Sequence, residues 1–224
     1  MNTSTPRTFR SHASREPDGL SLKTLAVAVC SVLGLGVASH ARAASTVTAD
    51  GRTSTNVANS GNVFTVTTST INKAGNTAFN SFSNFNVGNG DTVKLDLPGS
   101  TTNLVNLVWN AQTVINGTVN SYLSNNKIGG SVYFADPNGI VVGSTGVLNV
   151  GALSLSAPTS AFMNTLLDGN GNVSTEAAAV TTLMQGQEPL ADASGTCLIC
   201  VNGTINANNA VRIRASAIDV SGTV

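Results

Sequence analysis

Two distant stretches of the chain carry nearly the same short pattern, and this weak repeat constrains the fold more than any single segment. INGTVN at 115–120 resembles VNGTIN at 201–206, and GVLNVGALSLSA at 146–157 resembles GTINANNAVRIRASAIDVSG at 203–222. Each unit has a turn of small residues followed by alternating apolar positions. Short strand repeats with a period of roughly twenty residues are typical of a solenoid of parallel strands.

From residue 62 to residue 120, the sequence alternates polar and apolar residues over short runs. The clearest runs are NVFTVTT, DTVKLDLP, NLVNLVW and TVINGTVN, at 62–68, 91–98, 103–109 and 113–120. Gly, Asn, Ser and Thr separate the runs, and these residues favour turns. The pattern favours a β-solenoid with apolar alternates inside and Asn and Gly at the corners. An antiparallel β-sandwich of similar composition is the alternative.

Two stretches break the strand pattern and predict short helices outside the sheet. TSAFMNTLLDGNG at 159–171 offers Ser160 as an N-cap. VSTEAAAVTTLMQG at 173–186 offers Ser174 as an N-cap and Gly186 as a stop.

Residues 1–43 predict an extended signal peptide. Four cationic residues precede an apolar run at 25–37, and an A-x-A cleavage pattern follows at Ala41 and Ala43. A transmembrane anchor is disfavoured because the run is shorter than the ~20 residues that a spanning helix needs. A lipoprotein signal is disfavoured because Val29, rather than a small residue, precedes Cys30. We expect the Sec machinery to export the remaining chain.

Loss of this leader changes the chemistry that the chain has available. His12 and His40 both lie in it, and residues 44–224 keep six Lys and Arg against nine Asp and Glu, a formal charge of −3. Without histidine, a Ser-His-Asp triad, a Cys-His pair and a His-ligated metal are excluded. Without a basic patch, binding of nucleic acid is disfavoured. We expect no metal, no cofactor and no enzymatic activity.

In one turn of the chain, the residue type at each position favours the turn conformation. ADPNGIVV at 135–142 places Asp, Pro, Asn and Gly between two apolar runs. The Asp side chain accepts backbone N–H groups, Pro presets φ, and Asn and Gly accommodate the bend. Taken alone, these residues predict a tight turn between two strands.

The turn is part of a longer series of motifs. NTAFNSFSNFNVGNGDTV at 76–93, INGTVNS at 115–121 and IGGSVYFADPNGIVVGSTGVLNVGALSLSAPTSAFM at 128–163 follow one another behind the leader. This series resembles the N-terminal secretion domain of the filamentous haemagglutinin family, whose members are the exported partners of two-partner secretion systems. The resemblance extends from about Ser45 to the end of the chain.

The resemblance implies both a fold and a function for residues 44–224. The fold is an all-β, right-handed parallel β-helix with an N-terminal cap, short extra-helical strands and one or two short helices. The function is secretion targeting of an adhesin-like exoprotein. An outer-membrane barrel transporter with periplasmic domains recognises the domain, which then nucleates folding of a β-helix behind it.

Location and further partners follow from the same resemblance. The protein is expected to be secreted, or to lie on the surface of a Gram-negative bacterium, after passing the periplasm and outer membrane. We also expect a longer protein, because the chain stops at Val224 after a strand-like repeat without a polar cap. Regions beyond it would contact a host-cell surface. A short gene is the alternative.

The family's motifs transfer to particular residues of this sequence. The usual Asn-Pro-Asn-Gly-Ile motif begins here with Asp, and the family's Asn-Pro-Asn-Leu motif is absent, with Asn103-Leu104 its nearest remnant. The Phe residues of an Asn-x-x-Phe-Asn element could instead serve only core packing. The residues expected to serve transporter recognition or folding are Asn76, Phe79, Asn80, Phe82, Phe85, Asn86, Val87, Asp136, Pro137, Asn138, Gly139 and Ile140.

Cys197 and Cys200 form a C-x-x-C pair. A redox motif of the thioredoxin type would open a helix in a βαβ context, and a zinc site would need two more ligands, so neither condition is met. Because export leads to an oxidising compartment, we predict a disulfide that closes a very small loop.

Two rival functions remain. A β-helical carbohydrate-active enzyme would cluster charged side chains on one face of a coil, and only Arg212 and Arg214 come close together on one strand, without carboxylates nearby in sequence. A standalone structural or adhesive β-protein would need no dedicated transporter.

Overall fold

The computed structural model describes residues 44–193, 195 and 197–224, which form sixteen strands and two short helices. The predicted signal peptide, with Ala41 and Ala43, lies outside the described residues. The strands are β1 (Thr46–Ala49), β2 (Asn56–Ser60), β3 (Val63–Thr67), β4 (Thr77–Val87), β5 (Thr92–Asp96), β6 (Asn103–Val108), β7 (Thr113–Ile115), β8 (Thr118–Tyr122), β9 (Ser131–Ala135), β10 (Ile140–Val142), β11 (Val147–Val150), β12 (Ala152–Ser156), β13 (Ile199–Val201), β14 (Thr204–Ala207), β15 (Val211–Arg214) and β16 (Ile218–Val220). The helices are α1 (Ser160–Asn164) and α2 (Ala178–Gln185).

A ten-stranded and a six-stranded sheet wrap the chain into coils with three faces. The first face stacks the first half of β4, then β6, β9, β12 and β15. The second stacks the end of β4, then β7, β10, β13 and β16. The third stacks β3, β5, β8, β11 and β14. All these pairings are parallel, so the predicted parallel β-helix is confirmed and the antiparallel β-sandwich is wrong.

The internal repeat of the sequence corresponds to the stacking of the coils. Leu148 pairs with Val119 in the coil before it and with Ile205 in the coil after it, so INGTVN and VNGTIN occupy the same corner two coils apart. On the first face the register advances 26 residues from Ala78 to Leu104 and 28 from Leu104 to Val132. The coils are therefore longer than the period of the sequence pattern.

Glycines stack at the corner between the second and third faces. A Cβ atom at Gly117, Gly146 or Gly203 would collide with backbone carbonyl oxygens of the preceding coil. The stack explains why each unit of the repeat carries glycine here: only a residue without a side chain lets successive coils approach so closely.

Two apolar cores lie on opposite sides of the first face. The inner core fills the coils with alternating residues such as Leu104, Val132 and Leu153. The outer core packs the outward side chains of the same strands, such as Phe79 and Val105, against α1, α2 and the segment around them. The helical segment therefore folds onto the outside of the β-helix.

The two ends of the β-helix differ. At the N-terminal end, β1 pairs antiparallel with β4, β2 pairs antiparallel with β3, and an isolated bridge joins Ile71 to Ala78. These pairings form the predicted N-terminal cap. At the other end, β15 and β16 have no strand on their outer edges among the described residues. Ile218 and Val220 are 45% and 46% exposed there, although both belong to core columns of the second face.

The two predicted helices are present, but their N-caps differ from the prediction. Thr159, not Ser160, caps α1, because its side chain accepts a hydrogen bond from the Phe162 amide. Ala177, not Ser174, is the N-cap of α2 and makes no side-chain capping bond, while Gly186 ends the helix in the left-handed conformation as predicted. Among the residues that the structure describes, no helix is long and apolar enough to cross a membrane.

Candidate functional site: the corner at residues 136–140

The DPNGI turn forms the corner between the first and second faces of the third coil. It connects β9 to β10, and thus lies between two strands as the sequence predicts. The same corner of the next coil is occupied by a much longer segment, since 42 residues separate β12 from β13. This segment, residues 157–198, is called the excursion below. The turn therefore lies directly beneath the point where the excursion leaves the coil and returns to it.

Asp136 joins this turn to the coil below. Its side chain is fully buried, and one carboxylate oxygen accepts hydrogen bonds from the amide and the hydroxyl of Thr113, both at 2.8 Å. The other oxygen accepts from the amide of Asn138 at 2.8 Å and from its side-chain amide at 3.2 Å. The carboxylate thus closes the turn locally and also binds it to the start of β7.

Burial dominates the electrostatics of this carboxyl group. It raises the pKa of Asp136 from its ordinary value of 3.8 to about 6, although the hydrogen bonds from Thr113 and Asn138 favour the ionised form and lower it. All its described partners are donors, as an ionised carboxylate requires. Asp136 is therefore a structural acceptor whose hydrogen bonds offset only part of the cost of burying its charge.

Asn138 connects the turn to a half-buried pair of side chains, Trp109 and Arg52. Its side-chain amide donates to the Trp109 carbonyl at 3.1 Å, and the guanidinium of Arg52 stacks over the Trp109 ring at 4.5 Å from the centroid. Asn138 is exposed and Pro137 is half-buried, whereas the rest of the motif is buried. Only this part of the turn is accessible on the folded domain.

Gly139 and Ile140 contact the end of the excursion that returns to the coil. The Ile140 amide donates to the Leu198 carbonyl at 2.9 Å. Gly139 has φ = 97°, and a Cβ atom there would collide with the same carbonyl. The glycine is thus required both by the backbone conformation of the turn and by the coil stacked on it.

The phenylalanine-rich element forms β4, and one end of it meets the turn. Phe85 lies between Phe82 and Phe134, at 5.1 Å from each ring centroid in edge-to-face geometry, and Phe134 is two residues before Asp136. Asn86 accepts a hydrogen bond from the Val114 amide at 3.0 Å, next to Thr113. The two predicted motifs therefore approach each other through the inner core.

Other motif residues lie away from the turn. Phe79 points outward into the second core, and Asn80 donates to Asn106 at 3.0 Å inside the coil. At the far end of β4, the Asn76 carbonyl accepts from the Asn103 side chain at 3.2 Å. Asn103 belongs to the remnant of the missing Asn-Pro-Asn-Leu motif. Phe79, Phe82 and Phe85 are fully buried, so they pack in cores and present no aromatic stripe on the folded surface.

The contacts of this site are of the kind that hold neighbouring coils together. Its one buried carboxylate has no second carboxylate as a partner in these contacts, and the described residues contain no group of three His, Cys, Asp or Glu that could hold a metal. What this corner can do is hold three coils in register and present Pro137 and Asn138 outward.

Comparison with known protein families agrees with this architecture. The sequence model of the TPS secretion domain matches residues 45–224. The chain belongs to the TPS secretion domain family. The match covers the whole β-helix, from β1 to the last strand. No curated protein sequence matches the chain.

Membership in the family defines the broad role of this TPS domain. TPS domains belong to exoproteins of two-partner secretion, which are exported through the outer membrane of Gram-negative bacteria with a partner transporter. The resemblance to two-partner secretion exoproteins inferred from the sequence is thereby confirmed.

The cysteine pair lies where the excursion rejoins the coil. Cys197 lies two residues before β13, Cys200 lies within it, and their Cα atoms are 5.8 Å apart, a separation that a disulfide can span. Leu198, between them, supplies the carbonyl that binds Ile140. A link between the cysteines would hold this carbonyl over the DPNGI turn.

Sequence reasoning missed several residues of this region. Thr113, Trp109 and Arg52 carry no motif, and their contacts depend on which residues stack in successive coils. A correct alignment of coils two and three would have placed Thr113 beside Asp136. The sequence also showed no carboxylate near Arg214, whereas the structure pairs it with the buried Glu188 at 3.1 Å.

Proposed function

We propose that this TPS domain directs an exoprotein to its outer-membrane transporter and, once outside, acts as the template on which a β-helix grows. The observation that carries the proposal is the difference between the two ends. The N-terminal edge is closed by antiparallel pairing, whereas the outer edges of β15 and β16 are free among the described residues. Such an end accepts a further parallel coil at the usual ~4.8 Å spacing.

The apolar residues at the open end support templating. Ile218 continues the column of Ile140 and Ile199, both fully buried, yet it is itself half exposed. Val220 continues the column of Val142 and Val201 in the same way. A further coil would bury both side chains, and burial of apolar surface is favourable by about 25 cal/mol per Å².

The burial of the DPNGI motif determines when a transporter can bind it. Asp136, Gly139 and Ile140 are inaccessible in the folded domain, so a transporter reading them must bind the chain before it folds. Residues 44–224 carry few charges, and a disulfide between Cys197 and Cys200 closes only a tiny loop. Both properties suit passage of an unfolded chain. We infer that the leader delivers this chain to the periplasm through the Sec machinery.

A secretion assay tests the proposal. The chain is expressed in a Gram-negative host with and without its partner transporter, and its amount in medium and periplasm is measured. We expect release that depends on the transporter, reduced several-fold by Asp136→Ala and less by Asn138→Ala. The matched control is Lys127→Ala, an exposed residue away from the turn.

The outcomes separate targeting from folding. Equal release with and without the transporter would refute targeting and favour a standalone β-protein. If Asp136→Ala lowers release while the purified variant refolds as fast as the natural chain, the motif acts in recognition. Slower refolding with proportionally lower release assigns the motif to folding outside the cell.

A further inference from the structure

A polar groove runs beside α2 on the outside of the first face. It consists of two adjoining cavities of about 260 and 120 Å³. Met184 lines both, and Asn103 in the first is the register partner of Ser131 in the second. From Thr77 in the first coil to Ala210 near the fifth, the groove crosses about four strand spacings, or roughly 19 Å. Its length suits a short linear polymer better than a single small molecule.

The larger cavity is lined by amides, hydroxyls and one carboxylate. Asn72, Asn76 and Asn103 supply amide groups, and Glu176 faces them from the start of the α2 segment. One Glu176 oxygen accepts from the Lys73 amide at 2.7 Å, which fixes the side chain. Such a lining offers both donors and acceptors with little net charge.

The smaller cavity ends in a cation. Arg212 donates from Nη1 to the Met184 carbonyl at 3.1 Å, which holds the guanidinium over the cavity. Its Nε and Nη2 donors make no hydrogen bond to other described residues. The hydroxyls of Tyr133 and Ser154 lie in the same lining. Burial raises the pKa of the Tyr133 hydroxyl, an effect that Arg212 partly offsets, so this hydroxyl remains a donor at neutral pH.

One wall of the groove is apolar. Met184 and Val180 of α2 line it, and their side chains face the polar row of the sheet. A thioether and an aliphatic side chain opposite hydroxyls and amides suit a ligand that has both polar edges and an apolar surface. Sugar rings have this character, because their hydroxyls lie at the edge and their C–H groups form a face.

We propose that this groove binds an acidic oligosaccharide whose carboxylate pairs with Arg212. Arginine binds a carboxylate with two parallel hydrogen bonds, and two donors of Arg212 have no partner within the part of the chain that the structure describes. The amides and Glu176 form hydrogen bonds with the hydroxyls of the sugar rings that follow the acidic one. The groove has one cation and lies on a domain with a net charge of −3, so it suits an oligosaccharide with a single carboxylate, and a polyanion such as nucleic acid is excluded. The proposal is independent of the transporter.

Calorimetric titration of the purified chain tests the groove. The probes are pentasaccharides of xylose, mannose and N-acetylglucosamine, each extended by one terminal glucuronate and each also prepared as its neutral methyl ester. We expect at least one acid form to bind and its ester to bind at least tenfold more weakly. Arg212→Gln should weaken the acid form at least tenfold, and Tyr133→Phe several-fold. Lys127→Gln, which removes an exposed cation outside the groove, should leave binding unchanged, and thermal unfolding confirms that each variant is folded.

Each other outcome overturns the proposal. Absence of binding by all three acid forms removes the site. Binding that survives Arg212→Gln, or that the ester shares, removes the assigned carboxylate contact. Equally tight binding of an oligoglutamate peptide would show an anion site rather than a saccharide groove.

Discussion

At the scale of single residues, Asp136 shows how one side chain can fix a corner that a whole coil depends on. It supplies two acceptor oxygens, where the Asn of the motif that the sequence resembles would supply one. One oxygen accepts a hydrogen bond from Thr113 in the preceding coil, and the other accepts one from Asn138 in the same turn. The substitution therefore keeps the turn and adds an acceptor at the joint between coils.

Removal of this carboxylate is expected to destabilise the fold. Asp136→Ala leaves the buried Thr113 hydroxyl without its acceptor, a loss of about 1–3 kcal/mol, and removes the acceptor that closes the turn through the Asn138 amide. The Thr113 amide keeps its hydrogen bond to the Gly139 carbonyl. We expect a decrease of about 2–4 kcal/mol in the free energy of unfolding, measured by urea denaturation. The control, Asp192→Ala, alters an exposed aspartate and should change it by less than about 0.5 kcal/mol. Equal effects of the two variants would contradict the role of Asp136.

The raised pKa of Asp136 makes stability depend on pH. The folded chain holds this proton more tightly than the unfolded chain, because the pKa rises from 3.8 to about 6. The contribution of Asp136 is therefore most favourable below about pH 4 and is lost as the pH rises to about 6. Relative to Asp136→Asn, which does not titrate, the natural chain should gain roughly 2–3 kcal/mol between pH 7 and pH 4. Chemical denaturation across this range measures it, and a constant difference would disprove the shift.

At the scale of strands and corners, the β-helix is set by residues that recur at equivalent positions. The stack of Gly117, Gly146 and Gly203 aligns with the repeat units recognisable in the sequence, and the alternating apolar residues of those units fill the inner core. Recurrence makes such positions predictable from sequence alone. The cap of α1 was predicted at Ser160 but lies at Thr159, because neighbouring Thr and Ser are equally suitable caps and tertiary contacts decide between them.

Contacts between coils were not predictable in the same way. The hydrogen bonds from Thr113 to Asp136 and from Asn138 to Trp109 join residues 23 and 29 positions apart. The separation follows from the length of each coil, which varies and is not marked in the sequence. The outer core was unforeseen for the same reason, since nothing in β4 indicates that Phe79 meets the excursion while Phe82 faces inward.

The glycine stack predicts a sharp positional effect. Gly146→Ala places a methyl group against the Ile115 carbonyl of the preceding coil, which cannot move without shifting the strand. We expect a loss of about 1–3 kcal/mol in unfolding free energy. Gly169→Ala is the matched control, since a Cβ atom there meets no atom within 4 Å. The proposal of a close-packed corner fails if both variants unfold at the same denaturant concentration.

The disulfide has its own test. We expect both cysteines of the secreted chain to resist alkylation until a reductant is added, as read by mass spectrometry. Replacing both by Ser should lower stability by about 2 kcal/mol, the loop-closure value for so short a ring. Two free thiols in the secreted chain would refute the bridge.

At the scale of the whole molecule, the excursion is fastened to the β-helix on two sides. Apolar residues attach it to the first three coils, and polar contacts attach it to the last coil. Among the polar contacts, Glu188 is buried and accepts hydrogen bonds from Ser156 and Arg214. The last coil is thus tied to a segment that lies before it in the chain.

We therefore expect Arg214 to stabilise the attachment of the excursion as well as its own strand. Arg214→Ala would leave the buried Glu188 carboxylate without its cation, and breaking a buried pair costs about 3–5 kcal/mol, less here because Arg214 is partly exposed. We expect Arg214→Ala to lower the free energy of unfolding by about 2 kcal/mol. The double variant Arg214→Met with Glu188→Gln should recover most of it, and thermal unfolding compares the three. A double variant no better than Arg214→Ala would show that the charge is not the cause.

The excursion also shows where this architecture tolerates change. Between β12 and β13 the chain adds 42 residues, yet β13 stacks on β10 in the same register that β10 keeps with β7. Extra length inserted at this corner thus leaves the rise of the later coils unaltered, and closing a longer loop costs little additional entropy. The exposed residues Asp192 and Ala193 are accordingly a graft point. A foreign epitope placed there would be displayed on the outside of the solenoid, at a fixed distance from both ends.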